Sequence, residues 1–155
     1  MAGPSRILVP VDLTEGSRSV LDYALQLAHP FGATVDVVHV WEPPQYVAPD
    51  LLVAAPGWNA MSLEQVAVDT ARKEMTTLLQ GLEVPPVPVK QRVLVGESSS
   101  TILDLAEKEG YDLIVMGTHG RRGLPRLLLG SVAQKLVSRA PCPVLTLHVS
   151  PEKKK

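Results

Sequence analysis

The sequence predicts an α/β fold: a doubly wound, mostly parallel sheet of five strands with helices on both faces. Three observations predict it. Short apolar runs alternate along the 155 residues with longer stretches of helical spacing, in the order βαβαβαβαβ, which implies parallel strands joined by right-handed crossovers. The run from Leu113 to Met116, closed by Gly117, is apolar without interruption, as a strand buried on both faces should be. Glycine and proline stop each of the first three helical stretches, at Pro30 and Gly32, at Gly81 with Pro85-Pro86, and at Gly110. The length suits a single domain, 1–155, with its core at about 6–149 and a solvated tail at 150–155.

Each element has its own signal. Ile7 to Val11 is an apolar strand that ends at Asp12, and Thr14-Glu15-Gly16-Ser17 supplies capping and turn residues for the first helix. Val20, Leu21, Ala24, Leu25, Leu27 and Ala28 give that helix one apolar face until Pro30 and Gly32 end it. Thr34 to Trp41 is a β-branched second strand with Asp36 and His39 as polar interruptions. His39 reads as a packed, hydrogen-bonded histidine. Glu42 to Met61 is rich in proline and reads as one long loop, either a lid or a mere connection. Ser62, with Gln65 three residues on, has the capping-box pattern and starts a helix carrying Ala71, Met75 and Leu78 on one side, stopped by Gly81.

Val87 to Val95 alternates apolar and polar residues and predicts a half-exposed third strand, and Pro88, which lacks a ladder donor, argues for a sheet edge. Any of Ser98, Ser99 and Ser100 can cap the short helix through Ile102, Leu105 and Ala106 that Gly110 ends. Asp112 to Met116 leads into a loop in which Gly117, Gly120 and Gly123 are interspersed with Arg121, Arg122 and Arg126 and no acid. Gly130-Ser131 then opens an amphipathic helix through Val132, Leu136 and Val137 to about Ala140. Pro141-Cys142-Pro143 turns the chain into a last strand, Val144 to Val149. Cys142 reads as a small buried residue.

Composition limits the function. A formal net charge of −1 gives no general attraction to nucleic acid or to an anionic membrane, so a positive field must be local, and the three loop arginines supply one. One cysteine excludes an internal disulfide and a cysteine-rich zinc site. The N-terminal residues show no charged and apolar leader, and no apolar run approaches ~18 residues, so a soluble, cytoplasmic protein with neither nucleic acid nor membrane as a partner is expected.

Strand, glycine-rich basic loop and helix start make an anion site. The helix N-terminus presents unpaired N–H groups and a partial positive charge, and glycine lets a ligand approach the backbone closely. Backbone N–H groups and the Ser131 hydroxyl would hold phosphate oxygens. Asp12 is at least a dipole partner for the first helix. Pro10, Val40 and Met116 are core candidates by composition, and His119 reads equally as a phosphate neighbour or a solvated loop residue.

The spacing Gly117-x2-Gly120-x9-Gly130-Ser131 resembles the nucleotide-binding signature of the universal stress protein family, in the subgroup whose members bind ATP. The ILVPVD start, Ile7 to Asp12, and the VVHV strand, Val37 to Val40, also match, and the resemblance runs from Arg6 to Val149. It implies a Rossmann-like sheet of order 3-2-1-4-5, which places Asp12 and Gly117 at one crevice. It further implies that Asp12 contacts the nucleotide near the ribose and any phosphate-bound Mg²⁺, and that Val40 and Met116 flank the adenine. Pro10 and Arg121 belong to the same set, and Val132 is implied at the ribose and phosphate end. No metal site is expected beyond Mg²⁺ carried by the nucleotide.

Other chemistries lack their motifs. There is no P-loop pattern, the glycine spacing misses the dinucleotide fingerprint, GESSS and GSVAQ lack the second glycine of a nucleophile elbow, and no His or Cys pair has metal-ligand spacing. A binding module is therefore expected rather than an enzyme, with a slow ATPase or autophosphorylating protein as the rival. The apolar last strand, at an edge in the implied order, predicts a homodimer through 144–149, which a proline at Leu147 is expected to break.

Overall fold

The computed structural model describes residues 3–46, 48, 50–53, 61–118 and 129–149. The elements are β1 (Arg6–Pro10), α1 (Gly16–Ala28), a 3₁₀ turn (His29–Phe31), β2 (Thr34–Trp41), β3 (Leu52–Val53), β4 (Met61–Ser62), α2 (Leu63–Gln80), β5 (Val89–Val95), α3 (Ser98–Glu109), β6 (Leu113–Gly117), α4 (Ser131–Arg139) and β7 (Val144–Leu147). The main sheet has the order β5-β2-β1-β6-β7 and every pairing in it is parallel, which is the 3-2-1-4-5 arrangement.

Strand alternation divides the core into two layers. Ile7, Val9, Val35, Val37 and Val115 face one side and pack against α1 and α2 through Leu21, Leu25 and Met75. Leu8, Val38, Ile114 and Met116 face the other and pack against α3 and α4 through Ile102, Ala106, Ala133 and Leu136. Period-two side-chain direction on a sheet covered on both faces accounts for this split.

Several expectations need correction. β1 stops at Pro10, although the Val11 N–H still donates to the Val38 carbonyl at 2.9 Å. The segment 42–61 is not loop throughout, because β3 and β4 pair antiparallel at its end, Leu52 with Ser62 and Val53 with Met61. No serine caps α3; Glu97 does. Val137 is half exposed rather than on the apolar face of α4. β7 ends at Leu147, so His148 and Val149 lie beyond the strand. The N–H groups of Ile114 and Thr118 donate to the carbonyls of Pro143 and Leu147, which turns the odd-numbered backbone groups of β7 toward β6. Thr146, not Leu147, therefore presents its N–H to the open edge.

Candidate functional site

The crevice begins with a proline. Thr34 N–H donates to the Ser5 carbonyl at 3.0 Å and Val11 N–H to the Val38 carbonyl at 2.9 Å, so the odd-numbered residues of β1 bond to β2 and the even-numbered ones face β6. Pro10 is even and has no N–H to give. The β1–β6 register accordingly ends at Leu8 with Ile114, whereas the β1–β2 register runs on to Pro10 with Val38. Beyond Leu8 the two strands at the reversal of strand order are no longer paired, which is where such sheets place a ligand crevice.

Asp12 stands at the mouth of this gap. The chain leaves β1 through Leu13 in the left-handed region, φ 61°, a conformation that costs a non-glycine residue on the order of 1 kcal/mol. Around this turn Asp12 Oδ1 accepts hydrogen bonds from Thr14 N–H at 3.0 Å, Thr14 Oγ1 at 2.5 Å and Ser17 Oγ at 3.1 Å. One carboxylate oxygen is thus held by the first turn of α1. The other, Oδ2, makes no hydrogen bond among the described residues. His39 Nδ1 lies 2.9 Å from the Val11 carbonyl and braces the same turn from β2, in the packed role expected of it.

Across the gap, Gly117 ends β6 and Thr118 ties the far end of the basic loop back to it, accepting on its carbonyl from Gly130 N–H at 2.7 Å while its own N–H donates to Leu147 at 3.0 Å. Gly130 is the N-cap of α4, with φ −61° and ψ 160° and no side-chain cap. The first helical bond is Gln134 N–H to the Gly130 carbonyl at 2.9 Å. The N–H groups of Ser131, Val132 and Ala133 have no acceptor among the described residues. The floor is apolar: Val40 and Met116, 9% and 6% exposed, lie in one cluster, against which Val132 packs.

Pro10, Asp12, Gly117, Gly130, Ser131 and Val132 are therefore brought to one rim of the sheet, over Val40 and Met116. Gly120 and Arg121, with His119, Arg122, Gly123 and Arg126, lie outside the described residues. Among the described residues no cluster of three or more His, Cys, Asp or Glu is placed to hold a metal ion, and no helix is long and apolar enough to cross a membrane.

The α3 N-terminus, on the same rim, is filled from within. Glu97 accepts from Ser99 N–H at 3.3 Å, Ser100 N–H at 2.8 Å and Ser100 Oγ at 2.7 Å. Bonds from the Ser100 hydroxyl and N–H hold its carboxyl at about 2, far below the ordinary 4.5. Glu42 accepts from Ser98 N–H at 2.7 Å. Away from the rim, Asp36 accepts from the Tyr111 hydroxyl, Arg6 stacks over that ring at 4.7 Å, and Arg92 pairs with Glu109. Burial first, and the Asp36 bond second, push the Tyr111 hydroxyl upward. This network satisfies the charge that interrupts β2 and leaves no group directed at the crevice.

Comparison with known proteins settles the lineage. The family model described as the universal stress protein family matches residues 4–148. The chain belongs to the universal stress protein family. It is 38% identical to universal stress protein A homolog 1 of Coxiella burnetii over 142 residues, 91% of this chain and 94% of that one. The solved structure of protein MJ0577 of Methanocaldococcus jannaschii superposes with a TM-score of 0.75 at 24% identity, covering 96% of this chain and 98% of that one. A universal stress protein solved in complex with cAMP superposes with a TM-score of 0.62 at 20% identity, covering 95% and 98%.

In this universal stress protein the sequence reading missed the residues that hold the site residues in place. Thr14 and Ser17 fix Asp12, and Thr118 fixes Gly130. The spacing Asp12-x-Thr14-x2-Ser17 is a local turn pattern and could have assigned the first two. Nothing local marks Thr118, whose partner is twelve residues away, or Leu13, whose φ is imposed by its surroundings.

Proposed function

We propose that this chain is an adenine-nucleotide-binding regulatory module of the stress response, with ATP and its Mg²⁺ as the bound form. One observation carries the reading: three consecutive N–H groups at the start of α4, those of Ser131, Val132 and Ala133, have no acceptor among the described residues and lie at the gap beyond Leu8 that Pro10 leaves unpaired. Phosphate oxygens are the acceptors that such an N-terminus favours, and each hydrogen bond to a charged group contributes about 1.5–3 kcal/mol. Micromolar affinity, about 8 kcal/mol, needs only a few. The basic loop residues Arg121, Arg122 and Arg126 add attraction, and the cAMP held by a solved family member supports the adenine assignment.

Asp12 fits the Mg²⁺ of the nucleotide, since Oδ1 is locked by Thr14 and Ser17 while Oδ2 carries no bond among the described residues. The metal would neutralise phosphate charge, and the chain's contribution is to hold one carboxylate oxygen at the ligand's edge. Mass spectrometry of nucleotide released from denatured protein tests the assignment. ATP or another adenine nucleotide is expected, and protein that neither carries nor takes up such a nucleotide overturns it.

The module reading places the protein in the cytoplasm as a binder rather than an enzyme. Turnover of ATP at ~1 s⁻¹ or faster with Mg²⁺ would favour the enzyme reading instead. Two copies are proposed to pair through the open edge of β7, where Val144 and Thr146 present N–H and C=O groups and no lysine or proline interrupts the strand. Light scattering should give a dimer, and Thr146→Pro, which removes an outward donor and no bond to β6, should give a monomer. A monomeric parent protein, or a dimer untouched by the proline, contradicts this interface.

A further inference from the structure

The opposite edge of the sheet, β5, carries a second set of unpaired groups. The bonds at its two ends, Val35 N–H to the Pro88 carbonyl at 2.9 Å and Gly96 N–H to the Trp41 carbonyl at 3.0 Å, turn the even-numbered residues toward β2. Val89, Gln91, Val93 and Val95 therefore direct both N–H and C=O outward, and no hydrogen bond among the described residues engages those backbone groups. The strand spans seven residues, about 23 Å, enough for a backbone ladder with an added segment.

The flanks of this edge differ in chemistry. On the α2 side an apolar groove of about 310 Å³ is lined by Leu25, Leu79, Val84, Pro86 and Val89. Gln91 joins it to a second groove of about 400 Å³ that wraps the edge and is lined by Arg72, Thr76, Lys90 and Arg92. Arg92 is committed to Glu109, and Arg72 lies 4.0 Å from Asp69 with both side chains exposed, a contact of little strength. Lys90 has no ion pair among the described residues, although its charge helps to lower the Glu109 carboxyl after the Arg92 bond does so. On the face shared by Lys90 and Arg92, where Arg92 is paired with Glu109, an added strand would meet the positive charge of Lys90; on the α2 face its side chains would meet aliphatic surface and, at one end, Arg72.

We propose that the β5 edge docks an extended segment of a partner protein in which aliphatic and acidic residues alternate. The segment's main chain pairs with Val89, Gln91, Val93 and Val95, its aliphatic side chains enter the groove by Leu79 and Val84, and its carboxylates meet Lys90. A second copy of this chain is the wrong occupant for this edge, because a two-fold pairing of β5 with itself would oppose Lys90 and Arg92 to their own counterparts, and like charges across a ladder destabilise it. The proposal stands independently of the nucleotide reading.

The probe is a capped, fluorescein-labelled heptapeptide of alternating glutamate and valine, titrated into the full chain by anisotropy. It should bind, while the same peptide with lysine for glutamate should bind at least about tenfold more weakly, a difference of ~1.4 kcal/mol. Amide exchange at Gln91 and Val93 should slow on binding, while Lys90 and Arg92, already bonded to β2, should not change. The variant Lys90→Glu should reverse the preference between the two peptides. Methylating the peptide nitrogens on one parity should abolish binding without altering the protein. Absence of binding at about 1 mM, a preference untouched by charge reversal, or displacement by citrate with no amide slowed would overturn the proposal, the last because it would mark a pocket for small anions.

Discussion

The helices α3 and α4 both follow strands of the main sheet and both start at its carboxyl rim, yet their first turns are treated in opposite ways. At α3 the N–H groups of Ser98, Ser99 and Ser100 all end on carboxylate oxygens, from Glu42 and Glu97. At α4 the equivalent groups of Ser131, Val132 and Ala133 have no such acceptor among the described residues, and the cap position is a glycine. Lys135 of α4 reaches within 3.9 Å of Glu97, so the two sites are neighbours, not variants of one exposed surface. A helix start that supplies its own anions is a structural joint, and one that does not is open to an anion from outside. The proposed nucleotide site thus rests as much on the carboxylates missing from the start of α4 among the described residues as on the glycine at its cap.

The most disruptive test converts one kind of helix start into the other. Gly130 has φ −61° and ψ 160°, backbone angles that an L-residue adopts freely and that suit an N-cap. Gly130→Asp should therefore keep the fold and gain up to a few tenths of a kcal/mol in stability, while its carboxylate occupies the N–H groups and repels phosphate. ATP affinity in calorimetry should fall by about 100-fold, the equivalent of one or two charge-assisted hydrogen bonds. An unchanged affinity would show that α4 is no more a ligand site than α3.

A smaller effect separates metal from backbone. Asp12→Asn retains an oxygen for the Thr14 N–H but loses the charge, so ATP should weaken about three- to tenfold with Mg²⁺ present and little without it, as for a partly exposed ionic contact. Equal losses with and without Mg²⁺ would mean that Asp12 serves only the turn.

At α3 the effect should appear in stability alone. The Glu97 carboxyl is depressed from 4.5 to about 2, so its contribution is fully present above pH 4.5 and is lost as pH falls toward 2. The group is half exposed, and its loss as a cap should cost at most about 1 kcal/mol. Glu97→Gln should therefore be less stable than the parent above about pH 5, and converge with it in acid, in urea titrations read by circular dichroism. ATP affinity should not move. A pH-independent difference would remove the ionised cap from the account.

Much of this was legible beforehand because local signals and global pattern agree: a buried run such as Leu113 to Met116 suits a central strand. The third strand does lie at an edge, but it starts at Val89, and Pro88 just before it turns toward β2, so the missing donor that suggested the edge does not face the open side. The glycine spacing likewise pointed to Gly117, Gly130 and Ser131, which the fold brings to the carboxyl rim of the sheet. What stayed hidden depends on direction in three dimensions. The proline at position 10 reads as a core residue until strand parity shows that its missing N–H faces β6. Three serines in a row outshone Glu97 as a cap, since any hydroxyl can fill that role and only the fold brings Glu42 alongside. The two-residue strands β3 and β4 are too short to show a period, and Leu147 could be distinguished from Thr146 only once the β6–β7 register was known.

The claim that α4 is the open helix start is tested most directly by paired calorimetric titrations of the unmodified protein with ATP and with adenosine, at low and high salt. Micromolar ATP binding and far weaker adenosine binding are expected, with a gap that narrows as salt screens the phosphates from Arg121 and Arg122. Equal affinities for the two ligands at both salt concentrations would contradict it.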